Sequence, residues 1–350
     1  MRKLVCTLFL AALALPLLAQ EAPKPDDTPT IKVGGLLFAD YTYTSDLKLR
    51  DTDQNSFHPS AFNISRAYIN VTGSLTHRIS YRITPESTRE SGSGSSLNGS
   101  YVYRIKFAYG QFNLDDWLTK GSWIRAGIGD TPFITYEEAI YRYRFQGPIF
   151  VDREGYLFAS DAGASFHYNF AGSYGDVHTG VYNGEGWAKP EANDQKALQL
   201  RASVRPLPQS AIGKGLRLTG FYDADHYVKN GKRTRAIAQI TFEHPRANAG
   251  LDIMSAKDRR SVLQPQLEAR GFSAWVTPKL GHGWELLFRH DELKPDDRFN
   301  VTKKRDIEGV AYWFPVLPKT TVTSALMFDR DSVRGIGPIT NWGLKLLVSF

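Results

Sequence analysis

Arg66-Ala67-Tyr68-Ile69-Asn70-Val71-Thr72-Gly73-Ser74-Leu75 decides the reading of this chain. Ala67, Ile69, Val71, Gly73 and Leu75 form one set, and Arg66, Tyr68, Asn70, Thr72 and Ser74 the other. A period of two sends the sets to opposite faces of a β-strand. The same alternation recurs along the chain. Ile79, Tyr81 and Ile83 interleave with Arg78, Ser80, Arg82 and Thr84. Tyr103, Ile105, Phe107 and Tyr109 interleave with Arg104, Lys106 and Ala108. Ala162 to Phe170, Leu198 to Val204, Arg235 to Glu243 and Trp284 to Asp291 repeat it. One alternating strand is a weak signal; a whole chain of them is an architecture.

Sixteen strands can be counted, near 31-45, 62-75, 77-86, 101-113, 121-129, 161-170, 174-183, 196-205, 214-226, 233-243, 247-255, 264-276, 282-291, 303-314, 319-330 and 338-350. Fourteen or eighteen are the neighbouring counts. Connections after odd strands are mostly long and polar, and those after even strands mostly short. A β-sandwich alternates too. Long and short loops in turn, with arginines on the non-apolar face of nearly every strand, favour a closed transmembrane antiparallel barrel with a wet interior. The longest connection, Thr131 to Ser160, is too rich in aromatic and charged residues for a floppy tip. It is expected to fold inward as the third extracellular loop and narrow the barrel. Its residues Tyr136, Glu137, Glu138, Arg142, Arg144, Asp152 and Arg153 are the candidate constriction.

Composition agrees. Only 42% of residues are hydrophobic and mean hydropathy is -0.34, yet there are 17 Tyr, 20 Phe and 30 Gly. An apolar outer band with aromatic girdles around a polar lumen has this mixture. Met1-Arg2-Lys3, followed by an apolar run from Leu4 to Leu18, is shorter than the about 20 residues of a membrane helix. Residues 1–20 therefore read as a signal peptide, 21–30 as a proline-rich periplasmic leader, and 31–350 as one barrel domain. Cys6 would leave with the signal, which excludes disulfides, thiolate metal sites and cysteine nucleophiles. At the other end Trp342, Leu344, Leu346 and Val348 lead to a terminal Phe350. A terminal aromatic on such a strand resembles the signal read by the bacterial barrel-assembly machinery, which places the chain in the outer membrane.

Several stretches resemble the phosphate-selective porin O and P family. Ser65 to Leu75 is similar to that family's second strand, and Ala108-Tyr109-Gly110-Gln111-Phe112 to the strand before its third loop. Arg125-Ala126-Gly127-Ile128-Gly129-Asp130-Thr131-Pro132-Phe133 is similar to its entry into that loop, and Leu344 to Phe350 to its end. The resemblance implies a 16-stranded porin, usually a homotrimer, with a basic lumen. It does not fix the solute, because the family's lysine cluster for phosphate has no residue-by-residue match here.

If the apolar set meets lipid, the other set meets water. Arg66, Arg78, Arg82, Arg104, Lys106, Arg125, Arg201, Arg217, Arg235, Arg289 and Lys345 then line the lumen. Asp161, Asp176, Asp223, Glu243, Glu285 and Asp291 stand against them. Guanidinium groups stay charged and present a fork of donors to oxyanions, so such rows concentrate anions. Arg66, Arg82, Arg104 and Arg125 sit on strands two to five as a candidate ladder. Bracing is the equal alternative, with Glu137, Glu138, Asp152 and Glu154 of the long loop as partners for barrel arginines. The formal charge of +7 falls to about +5 without Arg2 and Lys3, and outer basic patches would suit lipopolysaccharide phosphates. The eight histidines show no metal-ligand spacing, and Asp223-Ala224-Asp225-His226 is explained by a polar strand end. The expectation is a passive channel for small hydrophilic solutes, with anion preference, no cofactor, no catalysis and no nucleic-acid partner. A plugged structural or adhesive barrel and a secreted soluble β-sandwich remain the other readings.

Overall fold

The computed structural model describes residues 27–350; the expected signal peptide, Cys6 and most of the leader lie outside them. Sixteen antiparallel strands close into one barrel. In chain order they are β1 (Thr30–Thr44), β2 (Ser60–Ser74), β3 (Ile79–Arg89), β4 (Tyr101–Asn113), β5 (Trp123–Asp130), β6 (Ser160–Asn169), β7 (Gly175–Tyr182) and β8 (Ala197–Val204). The second half comprises β9 (Leu216–Val228), β10 (Gly231–His244), β11 (Ala247–Asp258), β12 (Leu267–Gly281), β13 (Trp284–Lys294), β14 (Lys303–Phe314), β15 (Thr321–Val333) and β16 (Ile336–Ser349). Each strand pairs with its sequence neighbours, and β1 closes on β16 through Leu36↔Ser349 to Thr44↔Asn341. Gly35 and Phe350 exchange two backbone hydrogen bonds, at 3.0 and 3.1 Å, so the terminal residue finishes the seam. Closure gives every strand a neighbour on both sides.

The loops sort as expected. One end carries the connections 45–59, 90–100, 131–159, 183–196, 259–266 and 295–302. The β9–β10 and β15–β16 turns at that end are exceptions of two residues each. Asn230, with φ of 66°, sits in the left-handed region such a tight turn requires. The other end has short turns at 75–78, 170–174, 245–246, 282–283 and 315–320, and two exceptions in the longer connections 114–122 and 205–215.

Alternation holds residue by residue in β8, where Ala197, Gln199, Arg201 and Ser203 are buried and Leu198, Leu200, Ala202 and Val204 exposed. It fails in β4. Pro85 has no N–H to donate, and there the β3–β4 register jumps: Thr84 faces Phe107 but Pro85 faces Ile105. Lys106 is the extra residue of a β-bulge. Arg104 and Lys106 still turn inward. Past the bulge Phe107 is buried beneath Arg82, and Tyr109 lies against Arg125, so both face the interior rather than the outer side the alternation assigned them. Arg78 is a second correction. It lies in the β2–β3 turn, exposed, with Nε 2.7 Å from Asp116, and not in the lumen.

The long connection folds inside, as expected. It forms α1 (Ile134–Tyr141) and α2 (Phe150–Arg153). Phe133, Ile134, Ile140, Tyr141, Tyr143, Phe145, Ile149, Phe150, Val151 and Leu157 are all nearly inaccessible. They pack on inward apolar residues of β9–β16, among them Phe221, Ile237, Met254, Trp275, Leu287, Ile307 and Met327, and on Phe38 of β1. Full burial of each such side chain is worth about 1.5–3 kcal/mol, against about 0–1 for an exposed ion pair. Apolar burial therefore places the loop, and polar contacts fix its register.

Candidate functional site

The loop leans on one side of the barrel. Tyr136 shares its hydroxyl with Ser203 Oγ (2.7 Å) and Thr219 Oγ1 (2.9 Å) on β8 and β9. Asn248 Nδ2 of β11 donates to the Ile140 carbonyl at 3.1 Å. Arg201 Nε donates to the Pro132 carbonyl (2.8 Å), Arg235 Nε to Tyr156 (3.1 Å) and Arg289 Nη1 to Pro148 (3.1 Å). These donors satisfy carbonyls that a buried loop would otherwise leave orphaned.

Ion pairs brace the loop in the opposite sense to the expected one. Arg142 reaches Glu285 of β13 at 3.2 Å and lies 4.2 Å over the Trp313 ring. Arg153 pairs with Asp291, which also holds Arg289 at 2.7 Å. The loop thus supplies the cations and the barrel the carboxylates. Of the four loop carboxylates, Glu154 alone reaches a barrel cation, Lys303, at 3.2 Å. Glu138 and Asp152 stay within the loop and hold Arg144, at 2.5 and 3.3 Å. Glu137 is buried beside Asp252 of β11.

The opposite wall, β2–β5, keeps its charges. Arg66 Nε and Lys106 Nζ both lie 3.1 Å from Glu86, and Arg66 stacks on Tyr68 with its guanidinium carbon 5.0 Å from the ring. Arg104 donates to Thr88 Oγ1 at 3.1 Å and has no carboxylate partner among the described residues. Arg82 bonds Thr84 and Asn70, lies 3.9 Å from Asp130, and covers the Phe107 ring at 4.0 Å. Arg125 meets Asp130 at 2.5 Å and is sandwiched between Tyr109 and Trp123, each at 4.0 Å.

Seven of the expected lining cations fall into three groups. Cross-strand register sets Glu86 opposite Tyr68 and Arg104, forming an upper tier of Arg66, Arg104 and Lys106 toward the long-loop end. Arg82, opposite Thr72, and Arg125, opposite Gln111, make a lower tier around Asp130. Arg201 and Arg235 are braces: Arg201 also pairs with Asp176 and lies 3.9 Å over Tyr136, and Arg235 holds Asp258 at 2.7 Å. Sequence reasoning missed Glu86, Asp130 and Trp187. Trp187 sits in the β7–β8 loop after Gly184 and Gly186, outside any alternation. Its ring lies 4.9 Å from Arg104 and 5.0 Å from Lys106. A lone aromatic in a glycine-rich loop was the available signal. No metal-competent group of acidic, histidine or cysteine side chains occurs among the described residues. Asp225 pairs with Arg233, so the Asp223 to His226 stretch is a strand end.

No family model matches the sequence, and none of the curated proteins does. Solved structures match in fold. A loop-deletion mutant of OmpT, an outer membrane protein of Vibrio cholerae, has a TM-score of 0.62 at 13% identity, over 93% of this chain and all of that one. An anion-selective porin from Comamonas acidovorans has a TM-score of 0.61 at 10% identity, over 92% and 99%. OprB of Pseudomonas putida has a TM-score of 0.56 at 11% identity, over 91% and 94%. At these identities the likeness is one of fold.

Proposed function

We propose that this chain is an outer-membrane porin through which small hydrophilic solutes diffuse passively, with preference for anions. The observation that carries the reading is the one-sided packing of the 131–159 loop. Its apolar face is spent on β9–β16 and Phe38, and the remaining wall bears Arg66, Arg82, Arg104, Lys106 and Arg125, of which Arg104 is exposed. Cations in a narrow passage raise the local anion concentration. In this reading, residues 1–20 direct export and Phe350 is the assembly signal. The barrel sits among lipid and lipopolysaccharide, and three copies associate. No step calls for a cofactor or a reacting side chain. Phosphate is one candidate anion, supported by the sequence resemblance alone.

The plugged structural barrel is the competing reading, favoured by the buried cluster that fills one side of the interior. Refolded protein in a planar bilayer separates the two. Stable open steps whose reversal potential in a salt gradient has the sign for anions support the porin. Folded, inserted protein without steps supports the plug.

A further inference from the structure

Beyond Tyr68↔Glu86 the ladder between β2 and β3 stops. Asn63 to Arg66 on one side and Glu86 to Arg89 on the other then flank a cleft of about 420 Å³, closed inward by the loop's Arg144, Asp152 and Phe158 and by Trp187. Its cations are mostly committed. Arg66 and Lys106 share Glu86, and Arg144 holds Glu138 and Asp152. Arg89 donates to the Gly99 carbonyl and the Tyr101 hydroxyl, at the rim of the cleft. Arg104 donates Nη2 to Thr88, keeps its remaining N–H groups, and lies beside the Trp187 indole with no carboxylate partner among the described residues.

We infer that this cleft binds an organic carboxylate, with its carboxylate on Arg104 and a flat apolar body against Trp187 and Phe158. Three features select that class. A guanidinium fork matches a carboxylate in two parallel hydrogen bonds. Five cations face two carboxylates in the lining, so the cleft is net positive. The volume falls in the range of sites for small organic molecules, about 300–1,000 Å³, far more than a bare inorganic ion needs. The role assigned to the site, capture at the constriction before passage, rests on the channel reading; the binding does not.

Isothermal titration of the full-length protein, refolded in detergent, tests the binding without any current. Benzoate, acetate, benzamide and inorganic phosphate are the probes. Benzoate is expected to bind at least about tenfold tighter than the other three, a gap of one decade in Kd. Arg104→Gln and Trp187→Ala should each weaken benzoate by about tenfold or more, and Trp187→Phe by less, because a ring remains. Heat-modifiable gel mobility identifies the variants that fold. Acetate or phosphate binding as well as benzoate, benzamide binding as well as benzoate, no benzoate binding, or full affinity in folded Arg104→Gln would each overturn the inference. Benzoate binding to a protein that gives no bilayer current would retain the site and remove the channel.

Discussion

The inner wall has two halves built on different rules. From β9 to β16 the inward positions include Phe221, Ile237, Met254, Leu287, Ile307 and Met327, and they are dry because the long loop lies on them. From β2 to β5 the inward positions are Arg66, Arg82, Arg104 and Arg125 with Tyr68, Asn70 and Gln111, and the loop's apolar face is turned away. One half behaves as an apolar core, and the other as a polar wall in which Arg66 and Arg125 are buried in ion pairs and Arg104 is exposed. A closed barrel gets both because strand period fixes only which side chains point inward. The loop decides which of them it covers with apolar groups.

The largest effect should come from abolishing the difference. Replacing residues 134–153 by a short glycine-serine link removes the loop's packing face and is expected to raise single-channel conductance severalfold. Unchanged conductance would place the constriction elsewhere. Next, Arg289→Ala leaves Asp291 buried beside Arg153 alone, where both side chains of the Arg289–Asp291 pair are 1% exposed. Breaking such a pair costs about 3–5 kcal/mol. The urea midpoint of unfolding should fall accordingly, with noisier current as the loop loosens. Tyr136→Phe removes one hydroxyl shared by Ser203 and Thr219, for about 1 kcal/mol and a slight rise in current noise.

The smallest effect lies at the short-turn end. His77 is half-buried between Asp27 and Asp116, at 2.6 and 3.1 Å, and hydrogen bonds to both carboxylates raise its pKa above the ordinary histidine value. A raised folded pKa means the clamp is complete below the unfolded value and is lost as pH rises through the folded one. An NMR titration of the His77 ring should therefore show a midpoint above that of a free histidine, lowered by Asp116→Asn.

Much of this was legible. Period two is a local property, so all sixteen strands and the inward loop could be read from residue order. The halves could not. Ile237 lies between Arg235 and Gln239 on the same inward face, yet an apolar residue in a barrel strand reads as lipid-facing until a loop is known to cover it. The flip in β4 depends on Pro85 of the neighbouring strand, which no reading of β4 alone reveals. The direction of the loop's ion pairs escaped for a similar reason. Arg142 and Arg153 find Glu285 and Asp291 more than a hundred residues away, and composition does not say which member of a pair is on which wall.

The most direct test of the account is the reversal potential across a potassium chloride gradient, measured for the wild-type channel and for Arg104→Glu. Arg104 is exposed and lacks a carboxylate partner among the described residues, so the substitution changes charge on the polar wall without opening a buried pair. The account predicts an anion-selective wild type and a shift toward cations in the variant, with open steps retained. A cation-selective wild type, or a reversal potential that ignores the substitution, would contradict it.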